Sequence, residues 1–101
     1  MGYNFIDQYS LLHLASGIIA YFWDISLRTW IILHIMFEFM ENTEAGMNVI
    51  NNYITFWPGG KPRRDSDVNI LGDNISAGVG WLLAQSVDVY GERAGWYRSH
   101  K

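Results

Sequence analysis

The chain has 101 residues and a formal net charge of −3, and only 17% of its residues are charged while 50% are apolar. This length predicts a single domain over residues 1–101, and the small negative charge argues against the basic surface of a nucleic-acid-binding protein. Cysteine is absent, which excludes disulfide bonds and thiolate metal sites.

Three apolar segments predict an all-α fold. The predicted helices cover about residues 5–23, 25–42 and 67–88, and the first two form an antiparallel hairpin because only a short link around Asp24 separates them. Each segment approaches the roughly 20 residues that a membrane-spanning helix needs, provided that some polar positions are admitted. The expectation is therefore a three-helix membrane bundle.

The region between the second and third predicted helices has a different character. Met47–Trp57 has the pattern of an amphipathic or interfacial piece, and residues 58–66 form a basic loop that contains prolines and glycines. Asp65, Ser66 and Asp67 supply oxygens that can cap the third helix. A polar tail is expected over residues 89–101.

A soluble helical bundle is the alternative to the membrane interpretation. A soluble amphipathic helix presents a polar stripe, whereas Leu11–Trp23 offers only His13 and Ser16 as polar positions. This difference favours an integral membrane protein. Lysine and arginine are distributed almost evenly between the two sides of the expected bundle, so they do not predict its orientation.

Polar residues inside the apolar segments recur at helical spacing. Ionisable groups in a spanning segment cost about 2.5–3.5 kcal/mol each and therefore face one another or a cavity. The residues predicted to form this polar network are His13, His34, Glu38, Glu41, Asn42, Asn69 and Asp73. His34, Glu38, Glu41 and Asn42 share one helix face, and Asn69 and Asp73 share another.

Small residues predict where the helices approach closely. Gly72, Ser76 and Gly80 recur every four residues along the third helix, and Gly17 lies four residues after His13 on the first. Side chains of this size let two helix backbones come together. We therefore expect these positions to lie at helix–helix contacts.

The same polar residues are the candidates for chemistry. Glu38, Glu41, Asp73 and His34 are the acid–base candidates, since carboxylates and a histidine in a low-dielectric site shift one another's pKa. His34 and Glu38 have the i, i+4 spacing of a ligand pair that His13 or Asp73 would complete. The chain lacks an HExxH motif and a dense histidine cluster, so the expectation is no metal and no other cofactor.

Structural roles are the alternatives for each of these residues. Glu41 and Asn42 would mark the end of the second helix, and His13 would be a hydrogen-bonded interior histidine. Asn69 and Asp73 would lie near the solvated start of the third helix.

Three ordered motifs support a family resemblance. They are His13-x3-Gly17-x3-Tyr21, Glu38-x2-Glu41-Asn42-Thr43 and Asp65-Ser66-x2-Asn69-x2-Gly72-Asp73. The chain resembles a family of small bacterial inner-membrane proteins of alphaproteobacterial type and unknown function, and more distantly VanZ-like membrane proteins. The resemblance implies a polytopic protein of the bacterial inner membrane and no particular activity. The family usually has a second histidine where this chain has Ser16, which weakens a two-histidine metal site on the first helix.

The functional prediction is a structural or scaffold subunit of a larger membrane assembly, held together by the buried polar network. Its alternatives are a membrane-embedded hydrolase or transferase acting on a lipid-like substrate, and a proton or ion path. The expected partners are the lipid bilayer and other membrane proteins or a second copy of the chain. Nucleic acid is not expected.

Overall fold

The computed structural model describes residues 4–58 and 60–96, and these residues form helices joined by loops without a strand. The helices are α1 (Ser10–Phe22), α2 (Leu27–Glu41), α3 (Glu44–Tyr53) and α4 (Asp67–Arg93). Helix α4 packs against both α1 and α2, and α3 packs against α2. The predicted all-α class is confirmed, with α4 as the central element.

Hydroxyl side chains begin three of the helices. The Oγ atoms of Ser26 and Ser66 and the Oγ1 atom of Thr43 each accept a hydrogen bond from a backbone N–H in the first turn of α2, α4 and α3, respectively. Such caps satisfy donors that a helix start otherwise leaves unpaired. Of the three residues predicted to cap the last helix, Ser66 provides the cap. Thr43 begins α3, which was not predicted as a helix of its own.

The helix boundaries differ from the predicted ones at several places. Helix α1 begins at Ser10 rather than near residue 5, and α4 continues to Arg93 into the expected polar tail. Helix α3 occupies Glu44–Tyr53, which overlaps the piece expected to be interfacial. The last part of the expected tail, residues 97–101, lies outside the described residues.

The membrane predictions are wrong. Within residues 4–58 and 60–96, no helix combines the length and the apolar character that crossing a membrane requires. Helices α1 and α2 have 13 and 15 residues, so at 1.5 Å per residue they fall short of a hydrocarbon core about 30 Å thick. Helix α4 has 27 residues, but glycine, asparagine and aspartate occupy most of its buried positions and lower its mean hydropathy.

This finding overturns the predicted three-helix membrane bundle, the location in a membrane and the interpretation as a polytopic integral membrane protein. The scaffold subunit, the membrane-embedded enzyme and the ion path were all derived from that interpretation. The positions of the buried polar residues in the fold indicate a different role for them.

The interior of the fold is small and polar. The buried apolar side chains are Ala20, Ile50, Ala77 and Ala84. The buried polar side chains are more numerous and comprise Ser10, His34, Glu38, Glu41, Asn42, Lys61, Asp65, Asn69, Asp73 and Asp88. Large apolar side chains such as Phe39 point outward. The described residues therefore have a polar core beneath a largely apolar outer surface.

Glycines bring α4 close to its neighbours. A Cβ atom added to Gly17 would come within 2.0 Å of the Ala77 carbonyl oxygen, and one added to Gly80 within 1.9 Å of the Leu14 carbonyl oxygen. A Cβ atom on Gly72 would overlap the backbone of Phe5. All three glycines predicted at helix contacts thus lie against another backbone, and Ser76 between them is half-buried.

Candidate metal centre and its cavity

Three helices bring two histidines and two carboxylates together. His13 comes from α1, His34 and Glu38 come from α2, and Asp73 comes from α4. His13 Nδ1 lies 2.9 Å from His34 Nε2 and 3.6 Å from Glu38 Oε1, and His34 Nε2 lies 4.0 Å from the same carboxylate oxygen. These three atoms define a compact triangle of potential metal ligands.

Asn74 determines the tautomer of His34, and therefore which of its ring nitrogens carries a lone pair. Asn74 Nδ2 donates to the Ile70 carbonyl oxygen at 3.0 Å, so its Oδ1 atom is the acceptor for His34 Nδ1 at 2.7 Å. The Nδ1 proton is therefore committed to Asn74, and Nε2 carries the lone pair. Burial is the main cause that lowers the pKa of His34, which favours this neutral form.

Asp73 does the same for His13. Its Oδ2 atom lies 3.2 Å from His13 Nε2, an ion-pair distance, and the negative charge of the carboxylate favours a proton on that nitrogen. In the neutral ring, the lone pair then lies on Nδ1, the atom that faces His34 Nε2 at 2.9 Å. Two nitrogen lone pairs therefore converge, an arrangement that a cation between them stabilises.

Glu38 supplies the third donor. The residue is 1% exposed, and among the described residues its Oε1 atom has no hydrogen-bond partner. Its other oxygen, Oε2, lies 3.4 Å from Asn42 Nδ2. Burial, followed by the hydrogen bond and the negative charge of Glu41, raises the pKa of Glu38 to about 10. The metal-free side chain is therefore protonated at neutral pH, with a buried oxygen left unpaired, and a cation beside Oε1 would displace the proton and pair with that oxygen.

The triangle fits a transition-metal ion. A tetrahedral ion with bonds of about 2.0–2.1 Å holds its ligand atoms about 3.3 Å apart, and the three separations here are 2.9, 3.6 and 4.0 Å. Two imidazoles and one carboxylate form a donor set used for zinc and for non-haem iron. Asn74 is hydrogen-bonded to the second nitrogen of His34, and the Asp73 carboxylate lies at ion-pair distance from that of His13, the places that outer partners occupy in metal sites.

A second group of carboxylates adjoins the triangle. Oxygens of Glu38, Glu41 and Asp65 lie within 4.8 Å of one another. Lys61 Nζ makes a short hydrogen bond to Asp65 Oδ2, and Lys61 is only 1% exposed. The charge of Lys61 opposes the burial that raises the pKa of Glu41. This group therefore already contains a cation, and the two-histidine triangle is the better metal candidate.

The site opens into a cavity of about 550 Å³. One part of the lining is polar and contains His13, His34, Glu41 and Asp73 at the candidate centre. The other part is apolar and consists of Leu12, Trp30, Leu33, Phe37, Trp57 and Pro58. The volume lies within the roughly 300–1,000 Å³ of small-molecule sites. His13 and His34 thus line a space that a ligand can enter, whereas Glu38 lies behind this lining.

The structure brings together most of the predicted polar network. Asn42 supports it from the side, since its Oδ1 atom accepts the Asp65 backbone N–H at 2.8 Å. Asn69 serves a different purpose, because its Nδ2 atom donates to the Asn4 carbonyl oxygen at 2.7 Å and lies 3.2 Å from Asp7 Oδ2. Asn69 therefore fastens the segment before α1 to α4.

Several residues of the site were not predicted from the sequence. Lys61 and Asp65 were assigned to a basic loop and a helix cap, although their i, i+4 spacing could have suggested an ion pair. Asn74 was not among the predicted residues, and its contact with His34 spans 40 residues. No local pattern in the sequence signals a contact of that kind.

No protein family, curated protein or solved structure matches the chain. The resemblance to small bacterial inner-membrane proteins and to VanZ-like proteins therefore stays a prediction. The expected association with other proteins or with a second copy stays a prediction as well.

Proposed function

We propose that this protein is a metal-dependent hydrolase that binds one divalent transition-metal ion through His13 Nδ1, His34 Nε2 and Glu38 Oε1. The observation that carries the proposal is the convergence of two lone-pair nitrogens at 2.9 Å beside a buried carboxylate oxygen that has no hydrogen-bond partner among the described residues. From the sequence no metal was expected, because the chain lacks an HExxH motif and a dense histidine cluster, although His13 was named as a residue that could complete the pair on α2.

Three protein ligands leave coordination positions free for a substrate or water. An ion held in this way supplies Lewis acidity and lowers the pKa of a bound water molecule. Asp73 keeps His13 in the tautomer that presents Nδ1 to the centre. Asn74 does the same for His34 through its Oδ1 atom.

Glu41 favours hydrolysis as the reaction class. It lies one turn after Glu38, lines the cavity and has a pKa that burial raises above the ordinary value. A carboxylate tuned in this direction accepts a proton more readily near neutral pH than an ordinary glutamate does. We assign to Glu41 the role of general base, which takes the proton from the attacking water.

Isothermal titration calorimetry of the chelator-treated protein with Zn²⁺, Mn²⁺ and Co²⁺ tests the proposal. We expect binding of one ion per chain, and a tetrahedral Co²⁺ absorption spectrum if the coordination is as inferred. Glu38→Gln should weaken binding by about 100-fold or more, and Asn74→Leu, which removes an outer partner, by about 10- to 100-fold.

Glu44→Gln is the matched control, because Glu44 is an exposed carboxylate in the first turn of α3. It should bind the metal as the unmodified chain does. Absence of saturable binding, or equal binding by the Glu38→Gln and Glu44→Gln variants, would show that the histidine contact is a simple N–H···N hydrogen bond. The proposed function would then be wrong.

A further inference from the structure

The lining of the cavity combines an excess of negative charge with an apolar wall. We propose that the cavity binds an organic cation, namely an ammonium group joined to an apolar chain, with the ammonium group beside Asp7 and the chain along Leu33 and Phe37. That this cation is part of the molecule that is hydrolysed rests on the proposed function, whereas the binding itself does not.

The charge of the lining favours a cation over a neutral or an anionic ligand. The acidic side chains of the described lining are Asp7, Glu41, Asp65 and Asp73. Lys61 is the one lysine or arginine among the same lining residues, and its Nζ atom is already paired with Asp65 Oδ2. With all four carboxylates ionised, four negative charges face one positive charge, which leaves a formal balance of −3. Such a surface attracts a cation and repels an anion.

A metal ion at the proposed centre does not reverse this balance. The ion displaces the proton of Glu38, so a divalent ion and the newly ionised Glu38 together add one positive charge. A proton on Glu41, whose pKa burial raises, neutralises one further carboxylate. The lining stays negative in both cases, and the preference for a cation therefore exists in the metal-free and the metal-bound protein.

Asp7 is the carboxylate that a ligand in the cavity can contact. It lies in the segment before α1 and is partly exposed, whereas the other three acidic side chains of the lining are buried. Its Oδ1 atom accepts the Tyr9 backbone N–H at 2.9 Å, and its Oδ2 atom lies 3.2 Å from Asn69 Nδ2. These contacts hold the carboxylate against α4, one turn before Asp73. Asp7 therefore offers a direct ion pair, and the buried carboxylates attract the ammonium group through their charge without touching it.

The size of the cavity and its apolar wall favour an organic cation over an inorganic one. The volume of about 550 Å³ far exceeds that of a single small ion. Trp30 Nε1 donates to the Ala77 carbonyl oxygen at 3.1 Å, which fixes the indole against α4. The rings of Phe37 and Trp57 lie 5.8 Å apart between centroids. An apolar chain gains contact with these side chains, and their aromatic rings also attract a nearby cation.

Calorimetric titration of the chelator-treated protein with n-butylammonium, n-hexylammonium and n-octylammonium chlorides tests the binding. Each methylene that enters the apolar part should tighten binding about fourfold until the cavity is full. At equal chain length, the ammonium ion should bind about tenfold or more tightly than the alcohol, the carboxamide or the carboxylate. Affinity that is independent of chain length, as for a site that holds a small inorganic cation, overturns the proposal. Equal or tighter binding of any of the three analogues also overturns it.

Two variants test the position of the ammonium group. Asp7→Asn removes the charge and keeps an oxygen that can accept the Tyr9 backbone N–H, so it should weaken ammonium binding about tenfold and leave alcohol binding unchanged. Asp24→Asn is the matched control, since Asp24 is exposed and is not part of this lining. Equal effects of the two substitutions on ammonium binding overturn the proposal.

Two other variants separate the cavity from the apolar outer surface and do not alter the acidic side chains. Leu33→Trp places an indole in the space assigned to the chain and should abolish the dependence on chain length. Ile32→Trp is the matched control, since Ile32 is adjacent, exposed and not part of the lining. Leu12→Trp blocks the same space from α1 and guards against a folding defect in the first variant. Binding that the blocking variants do not reduce, or that fails to saturate at one molecule per chain, overturns the proposal.

The outcomes for the two proposals are distinguishable. Leu33→Trp should retain metal binding, because Leu33 is not one of the proposed ligands. Ammonium binding without any metal binding supports the cavity assignment and refutes the metal centre. Metal binding with no preference for ammonium ions refutes the cavity assignment alone.

Discussion

Replacement of Glu38 by glutamine should remove a large pH dependence from the stability of the metal-free protein. Glu38 is 1% exposed, and its pKa rises from the reference value of 4.5 to about 10 in the folded chain. Between these values the folded state holds a proton that the unfolded state has released. The free energy of unfolding therefore falls as pH rises, by about 1.4 kcal/mol per pH unit.

The range from about pH 7.5 to pH 9 isolates this effect. Burial lowers the pKa of His34 from 6.5, so His34 costs stability only as pH falls below that value and contributes little above pH 7. Over this pH range, Glu38 should lower the free energy of unfolding by about 2 kcal/mol. This is a substantial part of the total unfolding free energy of a small domain, which is typically about 5–15 kcal/mol. Glu41, whose pKa is also raised, acts in the same direction.

Urea unfolding in the presence of a chelator, followed by circular dichroism at several pH values, measures the slope. The unmodified chain and the Glu44→Gln control should lose stability with rising pH. In Glu38→Gln, the slope of the unfolding free energy against pH should be smaller by about 1.4 kcal/mol per pH unit, which corresponds to one proton. A stability that is flat or rises with pH in the unmodified chain would refute the reasoning. So would a Glu38→Gln variant with an unchanged slope.

Two further substitutions test the packing and the buried ion pair. Gly17→Ala should destabilise the protein by about 3 kcal/mol or more, because its Cβ would overlap the backbone of α4. Gly78→Ala should stabilise it by up to about 1 kcal/mol, since the nearest atom to its Cβ is 4.0 Å away. Thermal unfolding of the two variants measures these effects, and equal changes in stability would contradict the close approach of α1 and α4 at Gly17. Lys61→Met should cost about 3–5 kcal/mol by leaving a buried carboxylate unpaired. Arg64→Met, which breaks an exposed pair, should cost no more than about 1 kcal/mol, and urea unfolding that ranked these two in the opposite order would refute the importance of the buried pair.

Local features of the structure could be predicted from the sequence because they depend on residues close together in the chain. The i, i+4 spacing placed His34 and Glu38 on one face of α2, and both are buried there. The oxygens before α4 predicted its cap, which Ser66 provides. Gly72 and Gly80 of α4 lie against other backbones, where small side chains at that spacing were expected.

The membrane interpretation failed because an apolar segment of the sequence need not form one continuous helix long enough to cross a membrane. Helix α1 loses the residues before Ser10 to a non-helical segment that Asn69 holds from α4. Thr43 divides the region after α2 by starting a new helix. The sequence showed where polar residues recur, but it did not show how short the resulting helices are.

The sequence by itself determined the helical class, the polar faces and the small residues at helix contacts. The tertiary structure alone decided that His13 and His34, which are separated by 21 residues, meet at 2.9 Å. It also decided which ring nitrogens face each other, through Asp73 and Asn74 on α4. The physical reason is that helix spacing fixes a side chain's direction only relative to its own axis. The distance between side chains on different helices depends on how those helices pack together. Here α1 and α2 both pack against α4, and glycine contacts bring α1 close to it.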